Sequence, residues 1–357
     1  MVSPAERPAS IKDVAQYAGV SISTVSNVLN GTKPVSPALT KRVTKAVKAL
    51  NYEANPVGRQ LKTGKSHQLA FVIHSITSIF FPNILKSIQE AADKHGYTVS
   101  VFSTKGEFER EWQLIHLLRT QGFDGVLLSS CADVDRPETA EYLEFLHSIN
   151  FSANPMYIIC LEAAISPKLD AVVSNDAEGI TKTTEYLIEK GRRHLAYISA
   201  PQQYMTGKKR RRGFITALLY HNIPVDEDLI VEGKFTCESG YDAMQELLDR
   251  GKPIDAVVAG NDQMAIGAIN RLKESGIRIP EDIAVIGFND NAPASLITPS
   301  LTTIRVPKSE MGTWAFELFM RRVNKDTSAR MIVQLEGELI VRNSTDPDVE
   351  TYWDMDW

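Results

Sequence analysis

Apolar residues recur at helical spacing through residues 10–50, and from residue 69 onward they come as short continuous runs. Ile11, Val14, Ala15 and Ala18 lie three and four apart, which predicts a short helix with one inward stripe. Ser10 with Asp13 three positions on has the form of a capping box, and Gly19 is placed to end the helix. Ser21 predicts the cap of a second helix, with Val25, Val28 and Leu29 facing inward and Asn30-Gly31 as its stop. A third helix is predicted to start with Ser36 as cap and Pro37 at the first helical position. Its apolar side carries Leu39, Val43, Ala46, Val47 and Leu50, with Lys41, Arg42, Lys45 and Lys48 on the other faces. The first two helices, joined across Gly19, make a helix-turn-helix. The exposed face of the second then carries Ile22, Ser23, Ser26 and Asn27, side chains able to approach base edges in a major groove.

Asn55 and Pro56 predict a further helix start and Gly64 its end. A helix on the order of eight residues is marginal alone, and Gly58 costs it roughly 1 kcal/mol relative to alanine. The segment is either a plain linker or a helix that forms only on binding. Leu61 stands out as a large apolar side chain with no core to enter.

Beyond residue 66, apolar runs at 69–74, 97–102, 125–130, 156–161, 170–175, 195–200, 255–260 and 283–288 alternate with helix-forming stretches. Continuous apolar strands separated by helices predict parallel sheets covered on both faces. The number of strands points to two doubly wound lobes, with a ligand crevice at the strand C-termini.

Composition adds an asymmetry. Residues 1–65 hold ten Lys/Arg against three acids, a charge of +7, which leaves −12 for the rest of a 357-residue chain of net charge −5. A basic head on an acidic body suggests a polyanion partner for the head. No run of about 18 apolar residues predicts a membrane span, and no apolar signal region follows the N-terminus. Cys131, Cys160 and Cys237 are too few and too scattered for a disulfide framework or a zinc site, so a reduced, cytoplasmic compartment is expected. The chain has no GxGxxG after its first strand, no P-loop, no GxSxG and no HExxH. No cofactor, metal or catalytic residue is therefore expected. His74 ends the first predicted strand, where it could border the crevice. Asp124, Asp255 and Asp262 flank strands, where caps and turns use aspartate. The basic run 208–212 reads as a nucleic-acid patch or a solvated helix start.

The motif from Ile11 to Gly31, then Val35-Ser36 with Thr40, Arg42 and Val43, then Leu50, Tyr52, Asn55, Arg59, Leu61, Thr63, Gly64 and Ser66, has a familiar pattern. It resembles the DNA-binding head and hinge of the LacI/GalR family of bacterial transcription regulators. That resemblance implies base contacts from Ser21, Ile22, Ser23, Thr24, Ser26, Asn27 and Asn30, and a minor-groove wedge at Leu61. Asn27 stands where the family most often has arginine. Asparagine pairs best with adenine, so a different half-site is expected.

The resemblance covers residues 10–345. The segment 259–268 puts Asn261 at the family's ligand-contacting position, and 279–290 puts Asn289 where aspartate is usual. Residues 173–179 offer Asn175 and Asp176, and the loop 76–84 carries Phe80 and Phe81. Arg210, three residues before Gly213-Phe214, is the arginine that in relatives reaches into the cleft, with the other four basic residues facing solvent. The implied ligand set is Phe80, Asn175, Asp176, Arg210, Asn261 and Asn289. Amides, an arginine and an aromatic face fit a sugar. Asparagine for aspartate at 175 and 289 leaves the cleft more positive, a lean toward an anionic ligand. The implied fold is a periplasmic-binding-protein-like α/β effector domain of two doubly wound lobes with an all-α head. The expected domains are a helix-turn-helix head (1–54), a hinge (55–66), a two-lobed effector and dimerisation domain (67–345) and an acidic tail (346–357). The tail has no leucine heptad, so a homodimer rather than a tetramer is expected, with Trp353 and Trp357 unassigned. The expected function is a repressor on operator DNA, with no membrane partner, answering to a small effector of carbohydrate type. A stand-alone sugar-binding protein, an enzyme on a Rossmann-like fold, and a regulator answering a nucleobase or an anion remain as alternatives.

Overall fold

The computed structural model describes residues 9–30, 33–52 and 64–350. It separates into two compact units, Met1–Ser66 and His67–Trp357. Leu61 and most of the expected hinge, Trp353 and Trp357, and the side chain of Asn30 lie outside the described residues.

The first unit contains α1 (Ile11–Ala18), α2 (Ile22–Asn30) and α3 (Pro37–Ala49). The Ser10–Asp13 capping box forms, and Gly19 ends α1 in the left-handed region at φ 60°. Val14, Ala15, Ala18, Val25, Val43 and Ala46 make its small core. Three expectations change. Ser26 is buried at 7% exposure, while Leu29 is 37% exposed. The inward face of α2 is thus centred on Val25 and Ser26, and a small hydroxymethyl enters the interior of this short bundle. Ser36 caps α3 through its carbonyl, which accepts from Thr40 N at 3.0 Å, and its hydroxyl makes no cap bond. Arg42 does not simply decorate α3. Its guanidinium donates to Ala18 O at 2.7 Å and Gly19 O at 3.0 Å, tying α3 to the turn between the other two helices.

In the second unit the strands are β1 (Gln68–Ile73), β2 (Thr98–Ser103), β3 (Gly125–Ser129), β4 (Tyr157–Leu161), β5 (Asp170–Ser174) and β6 (Leu195–Ser199). They continue with β7 (Ile230–Glu232), β8 (Ala256–Ala259), β9 (Ala284–Ile286), β10 (Thr303–Arg305), β11 (Ile332–Leu335) and β12 (Glu338–Ile340). One sheet has the order β11-β5-β4-β3-β1-β2 and another β7-β6-β8-β9, with every pair parallel; β10 and β12 form an antiparallel ribbon. All eight strands expected from apolar runs are present, and all but β2 of them are buried along most of their length. The unexpected strands, β7, β10, β11 and β12, are three or four residues long and half-polar.

The helices of this unit are α4 (Phe81–Lys94), α5 (Phe108–Thr120), α6 (Glu138–Asn150), α7 (Asp176–Glu189), α8 (Met205–Tyr220), α9 (Cys237–Asp249), α10 (Asp262–Glu274), α11 (Pro293–Leu296) and α12 (Lys308–Val323). Parallel strands need crossovers, and these helices supply them. Helix α12 returns to the first lobe, where Arg322 grips Asp170 at 2.6 and 2.7 Å. Helices α7 and α8 pack so closely that a Cβ on Gly213 would fall 2.2 Å from Ala177 O. Among the described residues no helix is long and apolar enough to cross a membrane. The start of the acidic tail is tied to the body, since Asn343 Nδ2 donates to Val349 O at 2.9 Å and Lys190 pairs with Asp346 at 2.8 Å.

Candidate functional site

The C-terminal ends of both parallel sheets face a common cleft of about 410 Å³. His74 and Glu162 reach it from the ends of β1 and β4. From the other lobe come Arg210 on α8, Asn261 at the start of α10, Asn289 after β9 and Phe235 after β7. This is where doubly wound folds hold ligands, because loops from neighbouring strands diverge there.

Arg210 is 3% exposed. Its Nη1 donates to Gly260 O at 2.6 Å and its Nη2 to Asp176 Oδ1 at 3.1 Å, with Asn289 Oδ1 at 3.5 Å. Arg210 Nε and Asp176 Oδ2 have no hydrogen-bond partner among the described residues. A buried charge that keeps unused hydrogen-bonding capacity beside a cavity fits a polar ligand.

Asn289 and Asp290 have φ values of 112° and 51°. Such conformations cost on the order of 1–3 kcal/mol each in non-glycine residues and persist when their surroundings enforce them. Here Lys308 Nζ donates to both carbonyls, at 2.5 and 2.9 Å, and Asp290 is held by Arg305 and Arg342. Asn261 caps α10, accepting from Met264 N at 2.9 Å, while its Nδ2 donates to Phe235 O at 3.1 Å. It lines the cleft with one proton and one lone pair left over.

On the first lobe, Ser129 Oγ donates to the Glu162 carboxylate, and His74 Nδ1 lies 3.3 Å from the same hydroxyl. Burial pushes the Glu162 carboxyl up to about 7, against the opposing pull of the Ser129 bond and Arg210. Burial and then the charge of Arg210 push His74 down to about 4, so its imidazole is neutral. That ring stacks on Tyr204 at 5.7 Å and on Phe235 at 6.0 Å, both from the opposite lobe. Phe80 lines the cleft with its ring edge-on to Phe81, which does not line it.

Several expected site residues change role. Asn175 does not line the cleft: its amide donates to Glu178 at 2.5 Å and Glu336 at 3.2 Å, on an exposed edge. Asp176 stands behind Arg210 as its buried counter-charge and does not line the cavity. The cleft carries both signs: Arg210 is paired with Asp176, and Lys105 and Lys234 line the cavity together with Glu162 and Glu232. In the basic run, Arg210 is buried at the cleft, Arg211 pairs with Glu227, and Lys208 binds two aspartates rather than solvent alone. Asp262 is more than a turn residue. It is fully buried, accepts from Thr303 Oγ1 and Asn291 N, and burial raises its carboxyl to about 7. Glu162, Ser129, Tyr204 and Phe235 were not anticipated; the available signal was position, Ser129 being the last residue of β3 and Glu162 the first after β4.

On the head, Ser21, Ile22 and Ser23 are exposed and Thr24 and Asn27 half-buried on α2. The Ser21 hydroxyl accepts from Thr24 N at 3.1 Å and lies within 2.8 Å of the Ser23 and Thr24 hydroxyls, so the helix start is a linked hydroxyl cluster. Lys12, Lys33, Lys41, Lys45 and Lys48 are all exposed.

Residues 10–55 match the model for bacterial regulatory proteins of the lacI family, and residues 184–345 match a periplasmic binding protein-like domain. Among curated proteins the chain is 33% identical to the HTH-type transcriptional repressor PurR of Vibrio atlanticus, over 94% of this chain and 98% of the relative. It is 35% identical to the repressor of the same name from Edwardsiella ictaluri, over 94% and 96%. Among solved structures it is similar to the lac repressor dimer bound to operator and the anti-inducer ONPF, with 26% identity, a TM-score of 0.83 and 95% and 99% coverage. It is also similar to a transcriptional regulator CelR–cellobiose complex, with 30% identity, a TM-score of 0.70 and 94% and 99% coverage.

Proposed function

The chain belongs to the LacI family of bacterial regulatory proteins, and from that premise we propose that it is a repressor whose hold on operator DNA is set by a small polar ligand in the cleft. DNA binding and repression come with the family. The ligand response rests on one observation: Arg210, buried and paired with Asp176, keeps an unused Nε beside a cavity of about 410 Å³. The head carries the base contacts through α2, with Ser21, Ile22, Ser23, Thr24 and Asn27 available at its surface. Asn30 and the Leu61 wedge are assigned by resemblance alone. A homodimer on a two-fold operator, in the cytoplasm where the DNA lies, completes the reading; the similar lac repressor structure is a dimer on its operator.

Two ligand chemistries compete. Arg210, Asn261 and Asn289 offer planar groups that fix ring hydroxyls, which supports a sugar. The aromatic residues Phe80, Tyr204 and Phe235 beside a neutral His74 support a flat heteroaromatic ring instead. Charge does not choose between a neutral and an anionic form of either ligand, because Lys105 and Lys234 line the cavity beside Glu162 and Glu232. The His74–Ser129–Glu162 chain is no acyl-transfer set, because the Ser129 proton goes to Glu162 and not to His74.

A thermal-shift panel of mono- and disaccharides, nucleobases and sugar phosphates tests this reading. A ligand at 100 times its Kd adds about 2.7 kcal/mol of stability. Sugars or bases should raise the midpoint, and the shift should vanish in an Arg210→Met/Asp176→Asn chain. No shift from any of these classes, or a shift that persists in that chain, would overturn the assignment.

A further inference from the structure

Lys208 sits on α8 of the second lobe, and its Nζ lies 2.6 Å from Asp133 Oδ1 and 2.6 Å from Asp135 Oδ2. Both aspartates belong to the turn after β3, on the first lobe. That turn is built to present them: Asp135 N donates to Asp133 Oδ1, and Asp133 O accepts from Arg136 N and Thr139 Oγ1. The remaining basic residues of the run do not share this geometry. Arg211 pairs within its own lobe, and Arg210 turns into the cleft. Lys208 and Arg210 are two positions apart, so one helical turn touches both the cavity and the opposite lobe.

We propose that Lys208 is an electrostatic latch that holds the two lobes closed over the cleft, independently of which ligand the cleft takes. Two contacts beside it depend on the same closure. Tyr204 Oη donates to Gly106 O at 3.3 Å across the cleft, and His74 stacks on Phe235. The Lys208 side chain is 30% exposed and those of Asp133 and Asp135 are 14% and 71% exposed, so the latch lies at the rim where salt reaches it. A screened rim latch is adjustable: it biases closure without locking it, and a ligand that prefers closed lobes then binds more tightly. The Lys208 charge also keeps the Asp133 carboxyl below the usual range despite its partial burial.

Hydrogen exchange of the full chain, read by mass spectrometry, tests the latch without a ligand. In Lys208→Gln the amides of 103–107 and 233–236 should exchange about three- to tenfold faster, the scale of two rim ion pairs. Among the described residues the side-chain hydrogen bonds and ion pairs of Lys208 go to Asp133 and Asp135, its backbone N–H goes to Tyr204, and none goes to either segment, so a change in both reports on the lobes as a whole. In the parent, 1 M NaCl should produce the same change and add nothing in the variant. Lys209→Gln, on the neighbouring position, should leave both segments as in the parent. Unchanged exchange in Lys208→Gln, an equal effect from Lys209→Gln, or protection lost equally in the core strands β3 and β6 would each overturn the proposal.

Discussion

The guanidinium of Arg210 lies over the ring of Phe288, its carbon 4.0 Å from the ring centroid. Phe288 is itself 1% exposed and fills the space beside Gly179, where a Cβ would fall 2.8 Å from the ring. The cleft arginine is therefore stacked on one face, hydrogen-bonded to Gly260 and paired with Asp176, which fixes its plane before any ligand arrives.

Removing that arginine leaves a buried carboxylate alone. Arg210→Ala should lower stability by about 3–5 kcal/mol, the usual cost of breaking a buried pair. Arg210→Met with Asp176→Asn should recover most of it, because no uncompensated charge remains. Urea unfolding of the three chains measures both numbers. An Arg210→Ala chain as stable as the parent would mean that the pair contributes nothing.

The two titrating groups at the first lobe pull stability in opposite directions. His74 is held near 4 in the folded chain against 6.5 free. The unfolded chain therefore takes up a proton that the folded one refuses, and stability is lost as pH falls from 6.5 to 4. Glu162 is raised to about 7 from 4.5, so its contribution is full below 4.5 and is lost as pH rises through 7. Between 4.5 and 6.5 the two slopes oppose each other, so His74→Gln should make stability fall more steeply with rising pH there and leave the slope above 6.5 in place. Glu162→Gln should instead make stability rise with pH between 4.5 and 6.5, where the His74 contribution is then unopposed. Parallel curves for all three chains would refute both assignments.

Close helix packing predicts a local cost. Gly213→Ala drives a Cβ to 2.2 Å from the Ala177 carbonyl, where the α7 backbone must yield. The expected loss is about 1–3 kcal/mol, visible as a lower urea midpoint with an unchanged slope.

Much of this was legible in the sequence, for identifiable reasons. Runs such as 69–73 and 126–128 are apolar throughout because their strands are buried on both faces, so their pattern survives without structure. Strand β7 has three residues, and with it Phe235, which follows it, escaped notice. Ser26 and Leu29 exchanged places because helical spacing fixes which residues share a face, not how that face is turned in the bundle. Arg210 was legible through the family resemblance, which places an arginine three residues before a Gly-aromatic pair. Its partner Asp176 was named as a ligand contact, since pairing across 34 positions leaves no trace in local sequence. Asn175 failed for a similar reason: its amide is taken by Glu336, which only the fold brings near.

Asn27, half-buried on α2, predicts operator preference. Its amide matches the N6 and N7 edge of adenine, and a good bidentate pair discriminates by about 1–3 kcal/mol. Selection from random DNA with the parent and with Asn27→Arg should yield consensus sites that differ at one position per half-site, adenine giving way to guanine. Identical consensus sites would show that Asn27 reads no base.

The proposed repressor grips a two-fold site as a homodimer, through its basic heads. The most direct measurement is the affinity of the full chain for the selected operator and for one isolated half-site, each titrated with salt. The full site should bind at least tenfold more tightly than the half-site. Its affinity should fall steeply with salt as the exposed lysines release counterions from phosphates. Equal affinity for the two duplexes, or an affinity indifferent to salt, would contradict the account.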